Sequence, residues 1–428
     1  MSVVSVTDEG PLPDVPAAEA PAPRRRLPGS GFWAVAFAFL IVMAVATLPS
    51  PLYGLYRTRD HLSALTITVV FAIFAASTIA MLQRDSVVAA RLGRRGMMLA
   101  AVAAMMLAMG VLAAWKDLPG LLIGRVITGV AVGLAAGIAI TYLVELRLRA
   151  DPKASVVQAR TIGTAVTIGA LGIGPLIAGC LAQWAPQPLT LTYLVFLALG
   201  VIALAGLWTV PETGTPSLSP PSLSPSSPSS SPRDQPAGSR PRVRLPVPAA
   251  AGTLAAFAAN GLFAGLSGLI LAGTLHQSSH ALSGVALFLV FAAGVVSQLA
   301  TTRLQAPRVL ALGTISMIGG LALLVVSVRL STPSLALFLI AGALIGAGSG
   351  AVFKGTSGIV LEASPPESRV AMTSDLLIAL YVGLAVPVIG AGVALDLGAS
   401  VPDTVLGFAI LVGLGVVASG WALLGRRP

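Results

Sequence analysis

Residues 96–115 read GMMLAAVAAMMLAMGVLAAW and contain no charged side chain. A helix needs about 20 mostly apolar residues to cross the hydrocarbon core of a membrane, which is about 30 Å thick. This block therefore predicts one transmembrane helix. The same pattern recurs along the chain, because apolar blocks of similar length alternate with short segments that carry charge, glycine or proline.

Counting these blocks predicts an all-α membrane protein with twelve transmembrane helices. The spans are predicted at residues 31–52, 62–83, 96–115, 120–146, 157–183, 189–210, 247–274, 281–302, 308–330, 334–361, 370–395 and 402–424. Residues 1–27 carry four acidic side chains and several prolines, so they are not a signal peptide and are predicted to form a disordered tail.

The composition supports a membrane protein and excludes several other classes. Of the 428 residues, 56% are hydrophobic and 10% are charged, whereas soluble domains carry about 25% charged residues. The net charge of +10 does not indicate nucleic-acid binding, because the basic residues lie between apolar blocks rather than on one face. One cysteine excludes an internal disulfide, and three histidines are too few for a metal centre, so we expect no metal and no cofactor.

The distribution of lysine and arginine predicts the orientation in the membrane. If the N-terminus is cytoplasmic, the cytoplasmic segments hold 20 of the 26 basic residues and the outer segments hold four. Cytoplasmic loops of membrane proteins carry such an excess of basic residues. We therefore expect a multi-pass protein of the cell inner (plasma) membrane with both termini in the cytoplasm.

A Ser/Pro-rich stretch between the sixth and seventh spans divides the chain into two sets of six. Residues 217–232 contain only Ser and Pro apart from two leucines, so they have no apolar surface to bury and are predicted to be disordered. The expected order is a cytoplasmic tail, a six-helix bundle, a cytoplasmic linker, a second six-helix bundle and a short tail. Their predicted bounds are residues 1–29, 30–211, 212–246, 247–425 and 426–428.

The two halves share spaced residues. An offset of 217 positions maps Gly129, Gly133 and Glu145 onto Gly346, Gly350 and Glu362. Two related halves are typical of transporters whose substrate site lies between them, near the middle of the membrane.

The segment between the second and third spans carries a motif. Arg91, Gly93, Arg94 and Arg95 match the pattern G-x-L-x-D-R-x-G-R-R, although Ser and Ala replace its leading Gly and its Asp. The fourth span adds Arg125 followed by Gly129 and Gly133. With these motifs the chain, from Gly31 to Leu424, resembles the major facilitator superfamily. That resemblance implies a secondary transporter with two six-helix bundles that move around a central site.

The fifth span carries Gly169, Gly174, Pro175 and Gly179, which is similar to the Gly-Pro-rich motif of the bacterial drug:proton antiporter branch. Two interpretations are open. The small residues could serve only close helix packing in the membrane. Alternatively, Gly174 and Pro175 could form a hinge at which one half rocks against the other.

Charges at the cytoplasmic face have a structural and a functional interpretation. Arginines of the Arg91–Arg95 loop could simply anchor the topology, or the loop could act as a gating latch between the halves. In the family an acid of the loop pairs with arginine and helix ends, and Asp85 is the candidate to replace it, since Ala90 cannot. The other members of a predicted charge network at this face are Glu145, Arg160, Glu362 and Arg369.

Three charges within spans are the candidates for transport and proton coupling. An ionised group at the membrane centre costs at least about 2.5–3.5 kcal/mol, so it normally faces a cavity or a partner. Arg125 either contacts carbonyl groups or holds an anionic substrate group or a relay proton. Lys354 and Asp375 are predicted at similar depth, and we expect them to pair, either statically or as a proton switch. Possible cavity residues are Asn260, Tyr142, Tyr381 and Gln298, each of which could equally form an interhelical hydrogen bond.

The sequence favours proton-coupled efflux of a small molecule and leaves one main alternative. The fifth-span motif supports efflux, whereas Asp375 is the only carboxylate clearly inside a span and the cationic pair suits uptake or facilitated diffusion of an anionic metabolite. A membrane-embedded enzyme or sensor is a remote alternative, because no nucleophile–base set and no phosphate-binding loop is present. The expected partners are a small-molecule substrate, protons and the lipid bilayer, with a monomer sufficient for function.

Overall fold

The computed structural model describes residues 30–151, 153–213, 245–365 and 368–425. The predicted tails and the Ser/Pro-rich linker lie outside these residues, apart from their edges. The described helices are α1 (Ser30–Ala44), α2 (Tyr53–Asp60), α3 (Ala64–Leu82), α4 (Asp85–Ala114), α5 (Leu118–Ala150), α6 (Val156–Trp184), α7 (Pro188–Trp208), α8 (Val247–Gly273), α9 (His280–Ala300), α10 (Ala306–Arg329), α11 (Leu335–Glu362), α12 (Arg369–Asp396) and α13 (Val401–Leu424).

The helices confirm an all-α membrane fold. In the described part of the chain, eleven helices are long and apolar enough to cross a membrane, and a shorter apolar helix covers Gly31–Ala44. All five tryptophans are exposed, from 46% for Trp115 to 82% for Trp421. Tryptophan is enriched where helices meet the membrane–water interface.

The first span differs from its prediction. The sequence suggested one helix over residues 31–52, but α1 ends at Ala44, and a turn leads to a 3-10 helix at Ser50–Leu52 and then to α2. Pro49 and Pro51 flank the start of that 3-10 helix. Proline has no backbone N–H to donate, so an α-helix cannot pass through this pair without losing hydrogen bonds.

Serine side chains fix the start of several helices. Ser63 Oγ accepts a hydrogen bond from Thr66 N at 3.1 Å, and Ser155 Oγ accepts one from Gln158 N at 3.2 Å. The same cap precedes α9, α11 and α13, where the serines are Ser279, Ser334 and Ser400. Such a side chain satisfies one of the N–H groups that a helix leaves unpaired at its N-terminus.

The two halves of the chain repeat their helix packing. A Cβ on Gly129 of α5 would lie 2.4 Å from Phe74 O of α3, and a Cβ on Gly346 of α11 would lie 1.8 Å from Val290 O of α9. Gly133 and Gly350 make the next contacts along the same two helix pairs. The glycines that the sequence offset relates therefore have the same role, which is to bring the fourth span of each half onto its second.

The N half (α1–α7) and the C half (α8–α13) meet along two helix pairs, α6 with α9 and α3 with α12. We call the end of the bundle that carries Ser30, Gly93 and Gly425 the basic end, and the end that carries Gly54 and Ser279 the opposite end. In both pairs the close approach described below begins near the middle of the bundle and continues to the opposite end.

Candidate functional site

The α6–α9 pair makes its closest contact through glycine. A Cβ on Gly179 would lie 2.7 Å from His280 O and 3.0 Å from Gly284 Cα, and a Cβ on Gly284 would lie 2.5 Å from Pro175 O. The two backbones therefore touch without side chains between them. Further toward the middle, a Cβ on Gly172 would lie 3.2 Å from Phe288 Cα. Small residues allow this approach in a membrane.

The α3–α12 pair closes the other side of the opposite end. Phe74 and Tyr381 meet edge to face, with ring centroids 6.1 Å apart. Closer to the opposite end, a Cβ on Gly392 would lie 2.3 Å from Thr68 Oγ1. Both interfaces thus bring the halves together from mid-bundle outward.

Each half also caps a helix of the other half at the opposite end. Gln183, at the end of α6, accepts hydrogen bonds through Oε1 from His280 N at 3.0 Å and Ser279 Oγ at 3.1 Å. Asp396, at the end of α12, accepts one through Oδ1 from Ala64 N at 3.1 Å. These two inter-half caps are related by the repeat, since each comes from the fifth span of its half and reaches the second span of the other.

At the basic end, the carboxylate of Glu212 organises the N half. It accepts hydrogen bonds from Arg94 N at 3.1 Å and Arg95 N at 3.0 Å. Both N–H groups follow Gly93, whose φ of 69° lies in the left-handed region and kinks α4. A Cβ on Gly93 would lie 3.0 Å from the same carboxylate. Glycine is therefore required by backbone conformation and by space.

The segment around Glu212 also binds α5. Arg149 donates to Glu212 O and Thr213 O, both at 2.9 Å, and Tyr142 donates to Pro211 O at 2.9 Å. Glu145 accepts from Thr213 Oγ1 and forms an ion pair with Arg94. Glu212 and Thr213, which the sequence assigned to the linker, are thus bonded into the N half.

Among the described side chains, members of the predicted charge network make polar contacts within their own halves. Glu145 pairs with Arg94 inside the N half, whereas in the C half Arg369 Nε donates to Ser364 O at 3.3 Å. No salt bridge within 4.0 Å joins Glu362 to Arg369, both of which are described. The Arg91 side chain is exposed, and the side chains of Asp85 and Arg160 lie outside the described ones. The hydrogen bonds and the ion pair of the Arg91–Arg95 loop described above join it to elements of its own half.

Arg125 is completely buried in the N half. Its Nη1 donates to Ala46 O at 2.8 Å, just beyond the end of α1. Its guanidinium carbon lies 4.4 Å from the ring centroid of Phe74 and 5.8 Å from that of Phe71. Its Nε and Nη2 have no hydrogen-bond partner among the described residues. Both interpretations from the sequence keep support, because the side chain contacts one carbonyl and has two donor groups left over.

The expected pair of Lys354 and Asp375 is wrong for this structure. Lys354 Nζ donates instead to Gln298 O at 2.6 Å and Thr301 Oγ1 at 3.2 Å, and no salt bridge within 4.0 Å joins it to Asp375. Gln298 lies in the last turn of α9, where carbonyl groups lack helical partners and carry the negative end of the helix dipole. Lys354 therefore caps α9, and Asp375 is half-buried on α12.

The four possible cavity residues all make contacts between chain segments. Asn260 of α8 donates to Ser349 Oγ of α11 at 3.1 Å, and Gln298 of α9 donates to Gly350 O at 3.3 Å. Tyr142 bonds the segment after α7, and Tyr381 packs on Phe74 across the two halves. The Gly-Pro-rich helix α6 runs through Pro175 without interruption, and a Cβ on Gly174 would lie 2.0 Å from Ala44 O.

Comparison with known proteins agrees with this geometry. The sequence model of the Major Facilitator Superfamily matches residues 35–374. Among solved structures, a mutant of the nucleoside transporter NupG superposes with a TM-score of 0.68 at 12% identity, over 93% of this chain and all of that one. The unmutated NupG gives a TM-score of 0.65 with the same identity and coverage. No curated protein matches the sequence.

The chain belongs to the major facilitator superfamily. It is a multi-pass membrane protein of the secondary transporter class, rather than an enzyme. The likeness to NupG, at 12% identity, shows the fold alone.

Proposed function

We propose that the protein carries a small molecule across the plasma membrane by alternating access, and that the described structure is its state open at the basic end. The contacts between the halves carry this proposal. The Gly179–Gly284 contact and the caps by Gln183 and Asp396 hold the halves together at the opposite end. At the basic end, the ion pair and hydrogen bonds around Glu212 connect elements of one half.

The charge distribution supports a cytoplasmic position for the basic end. The sequence has 20 of its 26 basic residues in segments predicted to lie on that side, so the positive-inside rule predicts cytoplasmic termini and a cytoplasmic linker. The described state then faces inward. In the outward-facing state, we propose that the Arg91–Arg95 loop, with Asp85, engages the C half as a latch and that Arg160, Glu362 and Arg369 complete the network.

Efflux coupled to protons is the direction that we favour. Its support is the fifth-span motif, whose Gly172 and Gly179 lie in the interface that must open for rocking. Asp375, half-buried in α12, is the proposed proton carrier. Lys354 donates a hydrogen bond to the end of α9 in this state. An ion pair between Lys354 and Asp375 therefore belongs to another state of the transport cycle.

Proton leakage from energised inside-out vesicles tests this function. Amphipathic drugs and small metabolites are added one at a time, and a substrate of an antiporter should collapse the pH gradient only when the protein is present. Asp375→Asn should abolish that collapse. Asp151→Asn is the matched control, because this exposed acid directly after α5 belongs to no proposed site and should leave the collapse intact. Unchanged proton coupling in Asp375→Asn would contradict the proposed carrier.

A second candidate is uptake or facilitated diffusion of an anionic metabolite. Arg125 favours it, because this buried cation has two donor groups without a partner among the described residues. Lys354 no longer contributes to the argument, since its ammonium is already satisfied by α9. If no compound collapses the pH gradient and an organic anion shows saturable counterflow in proteoliposomes, uptake or facilitated diffusion is favoured over efflux.

A further inference from the structure

The side chains around Arg125 form a buried polar cluster in the N half, which we call the chamber. Its walls are the Phe71 and Phe74 rings of α3, the Ala46 carbonyl, and the two phenols Tyr53 and Tyr193, which lie within electrostatic range of the guanidinium. Arg125 and Tyr193 are 0% exposed and Tyr53 is 4% exposed.

Three hydrogen-bond donors of this chamber have no partner among the described residues. They are Arg125 Nε, Arg125 Nη2 and the hydroxyl of Tyr53. The hydroxyl of Tyr193, in contrast, forms a hydrogen bond of 3.1 Å with the hydroxyl of Tyr56. A buried charged donor without an acceptor is strongly destabilising, more so than a neutral one.

Among the described residues, no carboxylate forms an ion pair that could balance the charge of Arg125. None of the salt bridges of the described residues includes Arg125, and the predicted spans of the N half contain no Asp or Glu before Glu145, at the basic end. Stacking on Phe74 compensates part of the cost, because a cation over an aromatic face is attracted by the ring's negative face. The geometry still leaves one positive charge and three donors for an acceptor that the described residues do not supply.

We propose that this chamber binds a small inorganic anion, with chloride as the physiological ligand. A guanidinium has only hydrogen-bond donors and a hydroxyl can also donate, so together they suit a negatively charged acceptor. The donors are enclosed, which favours an ion of one or a few atoms over an organic metabolite. This site goes beyond the proposed transport function and does not depend on its direction.

Anion binding would also favour one conformation. The ring of Phe74 that stacks on Arg125 also meets Tyr381 of the C half. An anion that orders Arg125 therefore orders a wall of the closed opposite end. We expect chloride to stabilise the inward-facing state.

Thermal unfolding of the full chain in detergent tests the site without any transport assay. Sodium chloride or bromide is exchanged for sodium gluconate at constant ionic strength. A ligand that binds the folded state alone raises its stability as its concentration exceeds the dissociation constant. We expect a saturable rise of the unfolding temperature by chloride and bromide relative to gluconate in the wild-type protein, and none in Arg125→Met.

Two further variants keep the test decisive. Lys354→Met removes a half-buried cation of the C half, whose ammonium already has two acceptors, and should keep the full chloride effect. Tyr53→Phe removes one free hydroxyl with little change in volume and should weaken chloride binding several-fold, which decides the matter if Arg125→Met does not fold. No halide effect in the wild-type protein would overturn the proposal. Equal halide effects in wild type and Tyr53→Phe, or in wild type and Arg125→Met, would also overturn it.

The unfolding temperature reports chloride binding, so a negative transport assay does not contradict the chloride proposal. A positive transport assay does not support it either. If an organic anion rather than a halide raises the unfolding temperature through Arg125, the chamber belongs to the substrate and the chloride proposal is wrong.

Discussion

The two ends of the molecule use their polar groups differently. At the opposite end, the halves touch backbone to backbone at Gly179 and Gly284, and Gln183 and Asp396 each cap a helix of the other half. At the basic end, Glu212 binds the start of the third span within one half. These contacts join the two halves at the opposite end, whereas the contacts of Glu212 at the basic end stabilise the N half alone.

The largest effect should come from breaking the glycine contact. A Cβ on Gly179 would lie 2.7 Å from His280 O, so Gly179→Val should force α6 and α9 apart and open the opposite end. Overpacking of this kind costs about 1–3 kcal/mol, which corresponds to a shift of about 5- to 150-fold between the two states. Thr68→Cys, buried beside α12, reports the opening by faster reaction with an impermeant maleimide in a Cys180→Ser background.

Gly390→Val is the matched control for that variant. Gly390 lies in the interface helix α12, but a Cβ there meets no atom within 4 Å. Its labelling rate should equal that of the parent protein. Equal rates in Gly179→Val and Gly390→Val would show that the contact does not hold the opposite end closed.

The next effect should appear at the basic end. Glu212→Ala removes the acceptor for Arg94 N and Arg95 N and should cost about 1–2 kcal/mol of N-half stability, as for the loss of a helix cap. A lower unfolding temperature with little change in labelling at Thr68 would separate stiffening from gating. Asp151→Asn, at an exposed position after α5, should change neither quantity. A large opening of the opposite end in Glu212→Ala would contradict the division of roles.

The inter-half caps should have a smaller effect. Both Asp396 and Gln183 are exposed, so losing either cap should shift the state populations by about 1 kcal/mol or less, a few-fold. Asp396→Ala should open the opposite end more than Gln183→Ala, because a charged acceptor makes the stronger hydrogen bond. Asp403→Ala is the control, since Asp403 is at the same end but pairs with Arg329 in its own half. Equal labelling in all three variants would contradict this ranking.

The smallest effect is expected from Ala90→Asp. This change restores the acid of the family loop at an exposed position and should stabilise the outward-facing state by less than about 1 kcal/mol, as expected of exposed ion pairs. The rate at which a thiol reagent added from the cytoplasmic side labels a cysteine on that side should fall slightly. Unchanged rates would remove support for a latch function of the loop.

Hydropathy was sufficient to predict the helical fold, and spacing was sufficient to relate the glycines of the two halves, whose contacts only the structure shows. The end of the first span was placed too late, at residue 52, because apolar composition continues past Ala44 while the chain has already left the helix. Pro49 and Pro51 signalled a break but not its start. Helix ends depend on local backbone hydrogen bonds, which hydropathy does not report.

The site was less predictable, because the depth of a residue in the membrane does not determine toward which neighbouring helix its side chain points. Lys354 and Asp375 were predicted at similar depth, yet Lys354 reaches the end of α9. The role of Glu212 was also missed. Nothing in the local sequence shows that a residue after the sixth span will bond the start of the third, since that contact depends on how α7 and α4 pack.

Distances between spin labels at the two ends test the central claim most directly. In a Cys180→Ser background, one pair joins Thr58→Cys to Ala399→Cys at the opposite end, and another joins Ala90→Cys to Thr302→Cys at the basic end; all four positions are exposed. Alternating access predicts that Gly179→Val lengthens the first distance and shortens the second. A longer first distance with an unchanged second distance would contradict rocking of two rigid halves around a central site.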